Sequence, residues 1–299
     1  MRILLAYDGS TNATTAANLV RVIAWPPDSI LRVISVIEPK VVGLTAWAGS
    51  AAGYSSEVDL QISAYYEGKL AAVVESLNGP DRTEEGAVLR GRPASVIVDE
   101  ARVFQADLVV VGSRGHGAIA SLVLGSVSGE VVDHAPCPVL VARQPTLSRV
   151  IFAADGSSGA ATAEAFLARW PIFAGVPIRV VSVADIPYPW YTEAAPMMSG
   201  QVIEAADLNL EQARSEQQAM ALESSERLRA AGRDATEQVR TGDPASEIIA
   251  VGAVWNADLL VLGSRGRTGL TRLLLGSVVR NVVHSSAASI LVVRDAVET

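Results

Sequence analysis

The sequence is poor in cysteine, in histidine and in basic residues, and each shortage excludes a class of protein. One cysteine, Cys137, among 299 residues rules out an intramolecular disulfide framework and suits a reducing compartment. Three histidines and one cysteine offer no metal-ligand spacing. With 24 basic against 32 acidic residues the net charge is −8, so nucleic acid, which needs clustered Lys and Arg, is not the expected partner.

Long apolar runs are also missing. No run approaches the ~18 residues that span a bilayer, so no membrane segment is expected. The first residues, MRILLAYDGS, have one positive charge and a short apolar stretch, which predicts a first core strand rather than a secretory signal. Hydrophobic residues make up 49% of the chain and charged residues 19%, which is enough apolar surface for packed cores. We therefore expect a soluble, cytoplasmic protein, with two domains at roughly 150 residues per domain.

One unit of sequence is present twice. A strand-like run with a glycine turn, a Gly-Ser-Val triplet and an Asp-Gly-Ser triplet occur in both halves of the chain. Because the period has the size of a domain, one domain has been duplicated. The predicted domains are residues 1–145 and 146–299, joined by a short Pro/Ser link. The repeated segments are Ala106–Gly115 and Ala257–Gly266, Gly125–Val127 and Gly276–Val278, and Asp8–Ser10 and Asp155–Ser157.

Each copy alternates short apolar runs with helical segments. Runs rich in Val, Ile and Leu with little polar alternation are typical of a parallel sheet that is covered on both faces. The pattern therefore predicts a doubly wound α/β domain in each half, with a sheet flanked by helices. The predicted strands are Ile3–Tyr7, Leu31–Ile37, Gly86–Leu89, Leu108–Gly112 and Val139–Ala142, then Val150–Ala154, Ile178–Ala184, Thr236–Arg240, Leu259–Gly263 and Ile290–Val293.

Two long loops, Val41–Tyr54 and Ile186–Gly200, interrupt this alternation. They are long for a compact α/β unit, so they are interpreted as lids, as contact surfaces or simply as mobile segments. Their aromatic residues suggest cover for a bound base or contact with a partner. These aromatic residues are Trp47, Tyr54, Trp190 and Tyr191.

The turn after the fourth predicted strand has the composition of an anion site. In the first copy, Gly112 and Gly115 are followed after nine residues by Gly125-Ser126. Glycines let backbone N–H groups approach a ligand closely, and the N-terminus of the following helix favours phosphate. Ser126 is predicted to cap that helix. The second copy repeats the pattern at Gly263, Gly266, Gly276 and Ser277, with Ser277 as the predicted cap.

A carboxylate stands beside each of these turns. Asp8 and Asp155 leave the first strand of each copy, where the crevice of a doubly wound sheet opens. There a carboxylate can accept hydrogen bonds from two ribose hydroxyls while phosphates lie on the glycine turn. The simpler interpretation is that the glycines serve only tight turns and close packing, but this does not explain the recurring Ser and Asp.

Five further residues stand in or beside the glycine turns and the fourth strands. Arg114 and Arg265 lie in the glycine turns and are interpreted as contacts to a terminal phosphate, against the alternative of solvated loop arginines. His116 has no histidine counterpart in the second copy and is interpreted as a surface residue. Asp107 and Asp258 precede the fourth strand of each copy and are predicted to fix the start of that strand.

The spacing Gly-x2-Gly-x9-Gly-(Ser/Thr) resembles that of the ATP-binding branch of the universal stress protein family, and both halves match it at each fixed position. The resemblance covers essentially the whole chain, with one family domain per half. It implies a five-stranded parallel sheet of order 3-2-1-4-5 in each domain and one ATP per domain. It also implies a fifth strand that pairs across a two-fold interface. In this tandem chain we expect that pairing within the chain first, and a homodimer through the aromatic loops or helices second.

The resemblance also implies which residues hold the nucleotide. Asp8 and Asp155 would bind the ribose, and the backbone of Val36 and of Val183 would bind adenine. The glycine turns, with the residue before each turn and the helix start after it, would line the phosphates. These are Val111, Gly112, Arg114, Gly115, Gly125, Ser126 and Val127, and in the second copy Leu262, Gly263, Arg265, Gly266, Gly276, Ser277 and Val278.

Motifs for catalysis are missing from the sequence. There is no Gly-Lys-(Ser/Thr) P-loop, no kinase-type His-Arg-Asp and no Lys near either glycine turn. Phosphoryl transfer needs positioned metal ligands and a group that orients the nucleophile. We therefore expect a regulatory protein of the stress response in which ATP occupancy, with Mg²⁺ held mainly by the phosphates, switches conformation or assembly, together with an unidentified protein partner. The alternatives are a slow Mg-dependent ATPase or phosphotransferase, and a flavin- or adenylate-handling relative.

Overall fold

The computed structural model describes residues 1–38, 56–79, 82–115, 124–185, 200–266 and 275–294. His116, the loop Val41–Tyr54 and the loop after Ile186 as far as residue 199, with their aromatic residues, lie outside the described residues. The chain divides into two compact parts between Pro145 and Thr146, Leu124 excepted. We call residues 1–145 unit one and residues 146–299 unit two.

Unit one alternates strands and helices. Its elements are β1 (Arg2–Ala6), α1 (Thr11–Val22), β2 (Ser29–Ile37), α2 (Ser56–Ser76), β3 (Arg82–Arg90), α3 (Pro93–Val103), β4 (Leu108–Gly112), α4 (Ser126–His134) and β5 (Val139–Ala142). The strands pair in parallel in the order β3-β2-β1-β4-β5.

Unit two repeats this arrangement. Its elements are β6 (Val150–Ala153), α5 (Ser158–Arg169), a 3-10 turn (Pro171–Phe173), β7 (Ile178–Ala184), α6 (Gly200–Ala230), β8 (Ala235–Thr241), α7 (Pro244–Val254), β9 (Leu259–Gly263), α8 (Ser277–Ser285) and β10 (Ser289–Val293). The parallel order is β8-β7-β6-β9-β10. The predicted fold class and the strand order 3-2-1-4-5 are therefore confirmed in both units.

The central strands form the core of each unit. In unit one Leu4, Leu5, Val109 and Val110 have 0% exposure, because helices cover both faces of the sheet. Two covered faces also explain why these strands show no alternation of polar and apolar residues. Among the helices of the described residues, none has the length and apolar character that crossing a membrane requires.

The strand β3 is longer than predicted. Gly86–Leu89 was expected, but pairing with β2 runs in register from Arg82 opposite Ser29 to Arg90 opposite Ile37. The strand is mostly half-exposed or exposed and lies at the edge of its sheet. Backbone pairing at an edge does not require apolar side chains, so its polar first half gave no strand signal.

The prediction that Asp107 and Asp258 fix the start of the fourth strand is confirmed. The Asp107 Oδ2 atom accepts a hydrogen bond from the backbone N–H of Arg2 at 2.7 Å. The Asp258 carboxylate accepts bonds from the backbone N–H groups of Ser148 and Arg149 at 2.6 and 3.1 Å, and from the Thr146 hydroxyl at 2.8 Å. Each carboxylate thereby holds the chain that enters the first strand against the start of the fourth.

Burial raises the pKa of Asp258, but the hydrogen bonds from Ser148, Thr146 and Arg149 outweigh burial and leave the pKa below that of an ordinary aspartate. The carboxylate form is therefore the one that the fold stabilises. Because the folded pKa is depressed, this contribution is complete above the unfolded pKa and is lost as the pH falls through the folded value.

Replacement of Asp258 by alanine is expected to lower the free energy of unfolding by about 1–3 kcal/mol, because several charge-assisted hydrogen bonds are lost together. The difference from the wild type should shrink as the pH falls below about 4. Thermal unfolding at pH 7 and at pH 3 measures both effects. Asp99→Ala, at an exposed ion pair on α3, is the control and should change stability little. Equal losses of unfolding free energy in Asp258→Ala and Asp99→Ala would contradict the role of Asp258 in stabilising the fold.

Candidate functional site

The first strand of unit one ends in an Asp-Gly-Ser turn that fixes a carboxylate. The Asp8 Oδ1 atom accepts a hydrogen bond from the backbone N–H of Ser10 at 2.9 Å. Gly9 between them has φ +83°, a left-handed conformation that glycine adopts without strain. Unit two repeats the turn, with Asp155 Oδ1 at 3.0 Å from the N–H of Ser157. The turn orients each carboxylate before any ligand is present.

The serine of this turn ties the glycine turn to the first helix. The Ser10 hydroxyl caps α1 by accepting a bond from the N–H of Ala13 at 3.2 Å, and it donates to the carbonyl of Arg114 at 3.3 Å. One hydroxyl therefore joins the end of β1, the start of α1 and the turn after β4. The corresponding groups in unit two are Ser157, Ala160 and Arg265, with both distances 3.1 Å. These serines have no role among the sequence-based predictions, although their triplet recurs in both halves.

The second glycine of each turn lies against the carboxylate. A β-carbon at Gly115 would stand 2.6 Å from the Oδ2 atom of Asp8, and one at Gly266 would stand 2.9 Å from the Oδ2 atom of Asp155. The absence of a side chain therefore lets the turn and the acid share one space. The structure brings these predicted site residues together in both units.

At the first position of each turn, glycine is required for a different reason. A β-carbon at Gly112 would lie 2.7 Å from the carbonyl carbon of Asn12 and 2.8 Å from the N–H nitrogen of Ala13. A β-carbon at Gly263 would lie 2.7 Å from the nitrogen of Ala160. Close packing of the strand end on the first turn of a helix thus accounts for glycine at both positions without a ligand. For these two glycines the simpler interpretation holds.

The prediction that Ser126 and Ser277 cap the helices after the turns is wrong. Gly125 and Gly276 are the N-cap residues, without a side-chain cap bond, and the serines are the first helical residues. The reason is that the N–H of each glycine bonds back to the carbonyl of Ser113 or Ser264, at 2.8 and 3.0 Å, and so closes the loop one residue earlier. The two serine side chains are exposed instead. The first N–H groups of each helix thus have no side-chain cap from the N-cap residue.

The two valines predicted to meet adenine lie just beyond the end of the first strand. The N–H of Tyr7 bonds to the carbonyl of Ile34 at 2.8 Å, so the polar backbone groups of Ile34 face β1. In a parallel pair every second residue faces the same neighbour, so those of Val36 also face that side, where β1 has ended. In unit two the bond is from Ala154 to Val181, at 2.9 Å, and the residue two further on is Val183.

The remaining predicted site residues differ in exposure. Val111 and Leu262, before the glycine turns, are 3% and 2% exposed, so their side chains belong to the core and only their backbone could meet a ligand. Val127 and Val278, the second helical residues, are half-buried. Arg114 and Arg265 are half-buried as well. The turns therefore present backbone and arginine, with little apolar surface.

A charged residue that the sequence analysis missed lies near Arg114. Arg143 directly follows β5, and burial, then the positive charge of Arg114, lower its pKa to about 10. It therefore remains charged at neutral pH, close to a second guanidinium. A signal was present in the sequence, because Arg294 follows β10 in the same way.

Unit two also contains a cavity of about 510 Å³ between α5 and α6. It adjoins the Asp155 turn at Gly156 and Ser157 but includes no residue of the glycine turn. It is lined by apolar side chains, among them Phe152 and Met220, and by Glu164 and Glu223, which pair with Arg227 at 2.5 and 2.8 Å. Among the described residues, the cavity included, no three His, Cys, Asp or Glu side chains are grouped so as to hold a metal ion.

The fold and these turns define a class, the tandem doubly wound α/β proteins with a carboxylate beside a glycine turn in each half. Comparison with known proteins gives the family. The model of the universal stress protein family matches residues 1–143 and again residues 146–294. The chain therefore belongs to the universal stress protein family, with one family domain in each half.

Individual relatives agree with this assignment. A universal stress protein of Thermus aquaticus is 40% identical over 141 residues, which is 47% of this chain and 97% of that protein. A universal stress protein of Mycobacterium tuberculosis strain H37Rv is 28% identical over 98% of this chain and 94% of its own length. Among solved structures, a universal stress protein from Archaeoglobus fulgidus matches with a TM-score of 0.67 at 19% identity and covers 98% of both chains.

Substitution of Gly112 or Gly263 by alanine is expected to destabilise its unit by about 1–3 kcal/mol, because the new β-carbon meets helix backbone that cannot move away freely. Thermal unfolding of the nucleotide-free protein measures this loss. Gly68→Ala in α2 is the matched control, since a β-carbon there has no neighbour within 4 Å, and it should stabilise slightly. If Gly112→Ala melts at the wild-type temperature, the packing explanation fails.

Proposed function

We propose that the protein binds one ATP in each unit and acts in the stress response through the occupancy of these two sites. Membership of the universal stress protein family supports the role in stress. Binding of ATP, and its role as a switch of conformation or assembly, are our proposals. Mg²⁺ would be held mainly by the phosphates of the bound nucleotide.

The observation that carries the proposal is the pairing of a carboxylate with an unsubstituted glycine turn, repeated in both units. Asp8 and Asp155 each use one oxygen to fix their own turn and direct the other toward Gly115 or Gly266. Packing accounts for the glycine at 112 and at 263, but Gly115 and Gly266 face a carboxylate across space that a β-carbon would fill. Such a cradle fits a ribose on the acid and phosphates on the turn.

The rest of the site supports the same ligand. The helices that begin at Ser126 and Ser277 have glycine as the N-cap residue, which has no side chain to cap them, so their first N–H groups and the positive end of the helix dipole suit phosphate. Past the end of the first strand, Val36 and Val183 have backbone groups facing the same side, where an adenine edge would be paired. These groups lie at the carboxyl edge of each sheet, where doubly wound proteins bind ligands.

A switch is consistent with how the glycine turn is held. Through Ser10 and Ser157 the turn is bonded to the first helix of its unit, so a change in the turn acts on that helix. Phosphoryl transfer would need further groups that position a metal and a nucleophile. The alternative is a slow ATPase or phosphotransferase. It is distinguished from a binding protein by measuring phosphate release at saturating ATP and Mg²⁺ together with the number of nucleotides bound. Two bound nucleotides with background release support the binding role.

Replacement of Asp8 or of Asp155 by alanine is expected to remove about one bound nucleotide per chain. Loss of a charge-assisted hydrogen bond costs about 1.5–3 kcal/mol, or roughly 10- to 150-fold in affinity. Equilibrium titration gives the stoichiometry, and the double variant should bind none. Asp8→Asn keeps an oxygen for the N–H of Ser10 and serves as the control for the turn. A single variant that still binds as many nucleotides as the wild type would refute the ribose assignment.

Substitution of Gly115 by valine is expected to abolish binding in unit one and leave the unit folded. The new side chain would meet the Oδ2 atom of Asp8, the end of a side chain at an exposed turn, and no backbone atom, so the cost in stability is small. Melting of the nucleotide-free variant and its nucleotide stoichiometry are measured together. Gly112→Ala is the control, because its new β-carbon meets helix backbone and should lower the melting temperature. A large drop in the melting temperature of Gly115→Val would assign this glycine to packing too.

We also propose a homodimer, on the ground of the family resemblance. Sedimentation equilibrium of the full chain, with and without ATP, measures its mass.

A further inference from the structure

The ends of two neighbouring strands in unit one bring two arginines to the same edge of the sheet. The strands β4 and β5 are parallel, and their register runs from Val109 opposite Val139 to Gly112 opposite Ala142. The chain therefore leaves both strands at one level. Arg143 is the first residue after β5, and Arg114 follows β4 within the glycine turn.

The backbone of Arg114 is held from two sides. Its carbonyl accepts a hydrogen bond from the Ser10 hydroxyl at 3.3 Å, and a β-carbon at Gly125 would stand only 3.2 Å from its α-carbon. Ser10 and Gly125 are the N-cap residues of α1 and α4. Arg114 thus lies between two helix N-termini, which carry partial positive charge.

Arg143 adds a further positive charge at this place. It is half-buried, and burial first, then the positive charge of Arg114, lower its pKa to about 10. Guanidinium groups bind phosphate oxygens in pairs, so two of them at one edge of the sheet suit an anion with more than one negative charge.

We propose that Arg114 and Arg143 together hold the terminal phosphates of the nucleotide in unit one, so that this unit distinguishes a nucleoside triphosphate from a monophosphate. The inference rests on the proposed function and deepens it, since contacts to ribose and adenine alone do not distinguish a triphosphate from a monophosphate. In the sequence of unit two, Arg265 and Arg294 stand after β9 and β10 in the same way.

The experiment uses the full chain carrying Asp155→Ala, which leaves unit one as the nucleotide site to be measured. ATP, AMP and inorganic tripolyphosphate are titrated into this protein and into the same chain with Arg143→Gln. Arg143→Lys is the second variant, because it keeps the charge and loses the planar donor pair. Arg102→Gln is the matched control, since Arg102 is 55% exposed on α3 and pairs with Asp99.

With Arg143 intact, ATP should bind at least tenfold more tightly than AMP. Arg143→Gln should lower the affinity for ATP and for tripolyphosphate by about tenfold or more, which is a loss of ~1.4 kcal/mol or more in binding free energy. The affinity for AMP should not change. The ATP affinity of Arg143→Lys should lie between those of the parent chain and Arg143→Gln. The ATP affinity of Arg102→Gln should equal that of the parent chain. If AMP and ATP bind equally well, or Arg143→Gln keeps the ATP preference, the inference is overturned and the ATP site stands.

Two further outcomes separate this inference from the proposed function. Binding of tripolyphosphate that depends on Arg143, without binding of any nucleotide, would support the arginine pair and refute the ATP site. If neither a nucleotide nor tripolyphosphate binds, both are refuted. Should Arg143→Gln fail to fold, the ratio of ATP to AMP affinity with Arg143 intact and the Arg143→Lys titration still decide the question.

Discussion

A single serine hydroxyl in each unit is the contact on which the rest of the site depends. Ser10 and Ser157 cap the first helix and at the same time bond to the carbonyl of the arginine in the glycine turn. The backbone N–H of the same serine holds the aspartate. Strand, helix, acid and turn are therefore fixed by one residue, so a ligand that touches the turn also acts on the first helix.

The first and the second glycine of each turn are required for different physical reasons. Gly112 and Gly263 are glycine because strand and helix backbones approach too closely for a β-carbon, whereas Gly115 and Gly266 are glycine beside a carboxylate. Packing and the proposed binding of phosphate therefore share one motif. This is why the interpretation as turns alone and the interpretation as a phosphate site each explain part of the pattern.

The two units agree in their turns and differ in the helix that follows the second strand. In unit one α2 places Lys69 over the ring of Tyr65, at 4.6 Å. In unit two α6 places Met220 where a β-carbon on Gly156 would meet it, and pairs Arg227 with Glu164. Duplication has kept the backbone framework of the site and changed its surroundings, so equal affinity for one ligand in the two units does not follow from the repeat.

The sequence by itself determined the duplication, the strands of each unit and the positions of the acids and glycine turns, because hydrophobic pattern and repeated spacing are local properties. The strand order was implied by the family resemblance, and the structure confirms it. The sequence also placed Asp107 and Asp258 correctly at strand starts. It failed for the helix caps, since a bond from Gly125 to Ser113 across the loop moved the helix start by one residue. It failed likewise for the proximity of Arg114 and Arg143, which lie far apart in the chain. Only the tertiary structure decides such contacts, because the register of neighbouring strands, not local sequence, sets which residues meet.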